Sequence, residues 1–111
     1  MSIFISIASY QDPLLVSTIF SAYNNAQNKD ELVFSICDQS DDGIKVKEIA
    51  FCDQIHYEHV DPLFSKGPCW ARHRAQSFYK DEDFFLQVDS HTQFAKDWDS
   101  IFIAQLYKIA S

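Results

Sequence analysis

Residues 3–13 read IFISIASYQDP, and this stretch decides the fold. Ile3 to Ala8 is apolar on both alternating faces apart from Ser6, the pattern of a strand buried between helices. Asp12-Pro13 then reads as a helix start. Asp12 can cap free N–H groups, and Pro13 suits a first-turn position where its missing donor costs nothing. Leu15, Ile19, Ala22 and Ala26 follow at spacings of four, three and four, drawing one apolar stripe along one helix. A central parallel strand followed by an amphipathic helix fits this pattern.

Working outward, Asn24 to Asp30 ends that helix and Leu32 to Cys37 forms a second apolar run. Gln54 to Val60 reads as a weaker third strand bounded by Asp61-Pro62, while Gln39 to Asp53 is polar and undecided. Beyond Gly67-Pro68 the spacing predicts a helix with Ala71, Ala75 and Phe78 on one face, then a fourth strand over Phe84 to Val88. Trp98, Ile101, Phe102, Leu106 and Ile109 define a last amphipathic helix, with Asp97 and Asp99 near its positive N-terminal end. The β-α-β-β-α-β-α order points to an α/β fold with a mostly parallel, right-handed sheet. Its simplest strand order is the half-Rossmann 3-2-1-4.

At 111 residues the chain is long enough for one core and too short for two, so residues 1–111 are expected to form a single domain. A composition 47% hydrophobic and 15% aromatic, with two Gly and three Pro, is that of a packed domain. The formal net charge of -7 argues against a nucleic-acid partner, because such affinity rests on Lys and Arg displacing counterions. A phosphorylated ligand would need a cation to help. Cys37, Cys52 and Cys69 form no CxxC pair and read as reduced, mostly buried thiols. The first residues show neither a basic n-region nor a small-residue cleavage site, and no apolar run approaches the ~20 residues of a membrane span. A soluble, cytoplasmic protein is the expectation.

In such a sheet ligands bind outside the carboxyl ends of the strands, where the strand order reverses. Ser9-Tyr10-Gln11-Asp12 follows the first strand, Asp38-Gln39 closes the second, and Asp89-Ser90-His91 follows the fourth. Asp89 and His91 are two apart on what should be extended chain, so both side chains can face one ion. A carboxylate and an imidazole suit a borderline divalent metal such as manganese, which also accepts diphosphate oxygens. The residues alone leave another reading open, with Asp89 capping a turn and His91 in an exposed loop.

Three blocks, IASYQDP, GPCWARHRAQSFY and FFLQVDSHTQFAKDWD, resemble in order and spacing the N-terminal part of the GlcNAc-transferase family that includes the Skp1 protein hydroxyproline N-acetylglucosaminyltransferase. That family is similar to the polypeptide GalNAc-transferases in using a DSH-type variant of the glycosyltransferase DxD motif. The resemblance implies a GT-A-type, Rossmann-like nucleotide-diphospho-sugar transferase half-domain. It implies Asp89 and His91 as ligands of Mn2+ or another divalent cation, with Ser90 beside the nucleotide. Arg72 matches the family's Ala-Arg position and would contact the nucleotide-sugar. Arg74, ~200° further round a helix, would not serve the same ligand. Ser9 and Tyr10 match the ASY block near uracil and ribose, with Asp38 or Gln39 hydrogen-bonding the base. The implied donor is a UDP-sugar, UDP-GlcNAc first among them, and the acceptor a protein or glycan hydroxyl.

His56, His59 and His73 lack a spacing that converges with His91 and are expected to be structural, as are Trp70 and Trp98. No catalytic residue is assigned. The fold of this family continues past the metal motif, so residues 1–111 are expected to be an incomplete GT-A domain. An exposed sheet edge there would favour a homodimer. The competing reading is a non-catalytic nucleotide-sugar-binding module. A phosphatase of the aspartyl-nucleophile type is disfavoured because His91 stands where its second Asp belongs.

Overall fold

The computed structural model describes residues 1–110. In chain order they form β1 (Ile3–Tyr10), α1 (Leu15–Asn25), β2 (Leu32–Gln39), β3 (Ile55–Val60), α2 (Pro68–Gln76), β4 (Phe84–Asp89) and α3 (Trp98–Ala110). The four strands make one sheet in the order β3-β2-β1-β4, and every neighbouring pair is parallel. The α/β fold and the 3-2-1-4 order expected from the sequence are therefore those of the protein.

Alternation along β1 divides the core between two faces. Ile3, Ile5 and Ile7 pack with Phe34 and Ile36 beneath Leu15, Ile19 and Ala22 of α1 and Trp98 of α3. On the other face Cys37 meets Ala71 and Ala75 of α2, with Ala8, Val60 and Trp70 around them. Two alanines four residues apart let α2 sit close to the sheet, where Ser35 Oγ donates to the Ala75 carbonyl at 2.6 Å.

Several local expectations shift. Helix α1 opens at Leu15, so Pro13 lies ahead of it, and Asp12 caps the preceding turn by accepting the Leu14 amide at 2.9 Å. Helix α2 ends at Gln76, and Phe78, expected on its apolar face, instead stacks on His56 with centroids 5.1 Å apart. Within the undecided stretch, Ile49 and Phe51 are buried, and the Phe51 ring stacks on Tyr23 with centroids 3.7 Å apart. Of the stripe predicted for α3, Trp98 is buried and Phe102 packs on the core, while Ile101 and Ile109 are exposed. Among the cysteines only Cys37 is buried, and burial pushes its thiol up to about 11; Cys52 is half-buried and Cys69 exposed.

The start of α3 is fixed to the end of α1. Trp98 Nε1 donates to the Ala22 carbonyl at 2.8 Å, and Asp99, only 2% exposed, accepts the Gln27 and Asn28 amides at 2.8 and 2.9 Å. No helix among the described residues is long and apolar enough to cross a membrane.

Candidate functional site

Parallel register brings three strand ends to one edge: Ser9 lies opposite Asp38, Tyr10 opposite Gln39, and Ala8 opposite Asp89. β2 and β4 leave β1 on opposite sides, so the edge between β1 and β4 is the topological switch point. A cleft of about 530 Å³ opens there, walled by Ser9, Tyr10, Gln39, Arg72, Gln87 and Asp89, with Pro62, Ser65, Gly67 and Pro68 along its rim. Gly67, at φ 95°, holds a left-handed conformation that an L side chain would strain, and it aims the start of α2 at the cleft. The positive end of that helix thus borders the opening.

Five of the eight residues singled out in the sequence, Ser9, Tyr10, Gln39, Arg72 and Asp89, line this cleft. Arg72 is exposed, and its guanidinium has no partner among the described residues. Arg74 is committed elsewhere: it grips Glu58 with two N–H donors, Nε at 2.9 Å, and that grip holds the Glu58 carboxyl below its ordinary value. Tyr10 is 58% exposed at the mouth. Ser9 is 1% exposed, and its Oγ has no hydrogen-bond partner.

Gln39 is engaged at both ends of its amide. Nε2 donates to the Ser9 carbonyl at 3.1 Å, and Oε1 accepts the Ser65 hydroxyl. It therefore ties β1 to the segment at the cleft rim. Asp38 lies on the opposite face of the sheet, outside this cleft, 2% exposed and accepting the Tyr57 hydroxyl at 2.6 Å. Burial, reinforced by that bond, pushes the Tyr57 phenol above its ordinary range.

Strand β4 stops at Asp89, and the chain turns at Ser90-His91 instead of continuing extended. Thr92 Oγ1 donates back to the Asp89 carbonyl at 2.9 Å. Thr18 of α1 clamps the same turn, its Oγ1 donating to the Ser90 carbonyl at 2.7 Å and accepting the Thr92 amide at 3.1 Å. Ser90 is buried and donates its hydroxyl to Asp12 Oδ2 at 2.6 Å; His91 Nδ1 lies 3.2 Å from the same oxygen. The Ser90 hydroxyl chiefly, helped by the Leu14 amide and His91 and opposed by burial, holds the Asp12 carboxyl below its ordinary value.

Sequence reasoning missed Thr18, Ser65 and Gln87, and placed Asp12 in the polar cluster after β1 and as a helix cap without giving it a role in the site. Its partners Ser90 and His91, 78 and 79 residues further on, come only with the fold. Among the described residues no group of three or more His, Cys, Asp and Glu side chains is gathered for a metal ion. One exposed carboxylate at the cleft and one imidazole in the turn after it are donor types that a divalent cation accepts, and His91 itself lies outside the cleft lining. His91, with Nδ1 turned to Asp12, keeps Nε2 without a protein partner among the described residues.

A parallel α/β sheet with a cleft at its switch point defines a Rossmann-like half-domain. A family profile described as Glycosyltransferase (GlcNAc) matches residues 40–111. The chain belongs to this GlcNAc glycosyltransferase family. The matched span carries the GPCWARHRAQSFY and VDSH blocks, and IASYQDP precedes it. Comparison with curated proteins and with solved structures gave no match.

Proposed function

We propose that the chain binds the donor of a metal-dependent glycosyltransferase, a UDP-sugar with UDP-GlcNAc as the leading candidate, for transfer to a hydroxyl acceptor. The observation that carries this is the unpaired Arg72 guanidinium sharing a switch-point cleft with Asp89, in a chain of net charge -7. A cleft holding one unpaired arginine, one free carboxylate and a helix N-terminus suits an anion that arrives with a cation. In this reading Arg72 recognises phosphate or sugar oxygens with several donors, and Tyr10 offers a ring face to the base. Asp89 and the Nε2 of His91 would hold Mn2+ or another divalent cation. Such an ion supplies charge neutralisation of the leaving diphosphate. Ser9, buried in the cleft wall, would lie at the ribose side. Gln39 and Ser65 keep the cleft wall in place, and Asp38 and Ser90 support the edge from behind.

Calorimetry of UDP binding with Mn2+ and with chelator tests the reading. Binding should weaken at least tenfold in chelator, and Asp89→Ala or His91→Ala should remove the metal dependence. Equal, tight binding in chelator would refute the metal assignment and leave the nucleotide assignment standing. Transfer of labelled sugar to protein or glycan acceptors separates an enzyme from a non-catalytic donor-binding module.

A further inference from the structure

Asp12 is absent from the residues proposed to touch donor or metal, yet its carboxylate braces the turn that carries His91. Oδ1 accepts the Leu14 amide at 2.9 Å, and Oδ2 accepts the Ser90 hydroxyl at 2.6 Å while lying 3.2 Å from His91 Nδ1. With both oxygens occupied, and with 17% exposure against 62% for His91, this carboxylate is the fixed member of the pair. A carboxylate has only lone pairs to offer. The imidazole completes the contact only with hydrogen on Nδ1. In the neutral ring Nε2 then carries the lone pair, and it has no partner among the described residues.

We propose that Asp12 is a positioning residue, holding His91 in the Nδ1–H tautomer so that Nε2 is presented to a divalent cation. This rests on the metal reading of Asp89 and His91 given above. Ligating histidines commonly donate their second N–H to a carboxylate, and loss of that partner costs about 10–100-fold in metal affinity.

The informative variant is Asp12→Asn, which keeps the shape. To keep the Leu14 amide bond, the Asn carbonyl must take the place of Oδ1, which sets its NH2 group against His91 Nδ1. An NH2 group donates, so the ring must accept at Nδ1 and carry its hydrogen on Nε2, where it cannot ligate. Turning the amide over would instead face NH2 against the Leu14 N–H.

Long-range proton–nitrogen NMR on metal-free chain with labelled histidine, at a pH of about 8 where an ordinary imidazole is neutral, reads the tautomer directly. Wild type should show the Nδ1–H pattern at His91 and Asp12→Asn the Nε2–H pattern. Mn2+ titration in the presence of UDP, well below the melting temperature of both proteins, should show affinity about 10–100-fold lower in Asp12→Asn. A wild-type ring in the Nε2–H form overturns the positioning role, and that reading needs no variant to fold. So does Mn2+ affinity in Asp12→Asn within twofold of wild type, where His91→Ala does lose Mn2+. If wild type binds no Mn2+, or His91→Ala loses none, the metal reading itself has failed and this inference falls with it.

Discussion

The two sides of the sheet's carboxyl edge treat their polar groups in opposite ways. On the α1 side, Asp12, Thr18 and Ser90 hold the turn by hydrogen bonds, with His91 leaning on Asp12 through Nδ1, and Asp38 is closed off by Tyr57. On the α2 side, Tyr10 and Arg72 face the cleft exposed, and Asp89 stands there with them. Buried polar groups left unpaired are costly, so the first side is built to stay as it is. Exposed groups gathered in a concavity without partners are available to a ligand. The turn at Ser90-His91 links the two sides, because it is clamped from α1 and begins where Asp89 enters the cleft.

Thr18→Val should break the closed side and gives the largest effect. The Thr18 hydroxyl is fully buried and serves both the Ser90 carbonyl and the Thr92 amide, so its loss leaves two backbone groups short of a partner. Denaturant titration should show a loss of about 2–3 kcal/mol, from desolvated groups without hydrogen bonds. A loss under about 0.5 kcal/mol, the ordinary scale of a surface change, would mean that the turn is not held from α1.

The open side responds in binding and not in stability. Arg72→Ala should lower UDP affinity about tenfold, near 1.4 kcal/mol, and leave the denaturation midpoint unchanged. Arg74→Ala should do the reverse on a smaller scale, breaking an exposed pair with Glu58 for a slight loss of stability and leaving UDP affinity within twofold. Equal losses of affinity in both variants would mean that the two arginines act through the general field, without a specific contact by Arg72.

The sheet order was legible because each buried strand is a short apolar run and each helix announces itself by spacing, α1 and α2 also by an Asp-Pro or Gly-Pro boundary. The stretch from Gln39 to Asp53 was not, since Ile49 and Phe51 are placed by distant partners such as Tyr23 and by no local period. The site was legible as a set of strand ends and only partly as geometry. A period of two put Asp89 and His91 on one face, but Thr18, 72 residues before Ser90 in sequence, turns the chain there. Asp38 and Gln39 are neighbours in sequence and point to opposite faces of β2, so only one of them walls the cleft. For Asp12 the local cap was visible, while the second oxygen's partners come from β4's far end and needed the fold.

A carboxylate at the other end of α1 offers a control that leaves the cleft untouched. Burial alone would raise the Asp99 carboxyl, but the Gln27 and Asn28 amides, with those of Ser100 and Asp99 itself, outweigh it and hold it below its ordinary value. A carboxyl depressed on folding adds stability that is fully present above its unfolded pKa, about 3.9 for Asp, and is lost as pH falls through the lower folded value. Asp99→Asn keeps the size and can still accept one of the two loop amides. It should cost about 1 kcal/mol at neutral pH, the scale of a weakened charge-assisted hydrogen bond. The gap from wild type should then narrow as pH drops below about 4, because wild type loses its own charge there. UDP affinity at neutral pH should stay within twofold, since Asp99 lies at the far end of α1 from the residues lining the cleft. A gap that holds constant down to acid pH would show that the side chain acts through packing and not through its charge. A matching loss of UDP affinity would show that the closed side transmits strain along α1 into the open one.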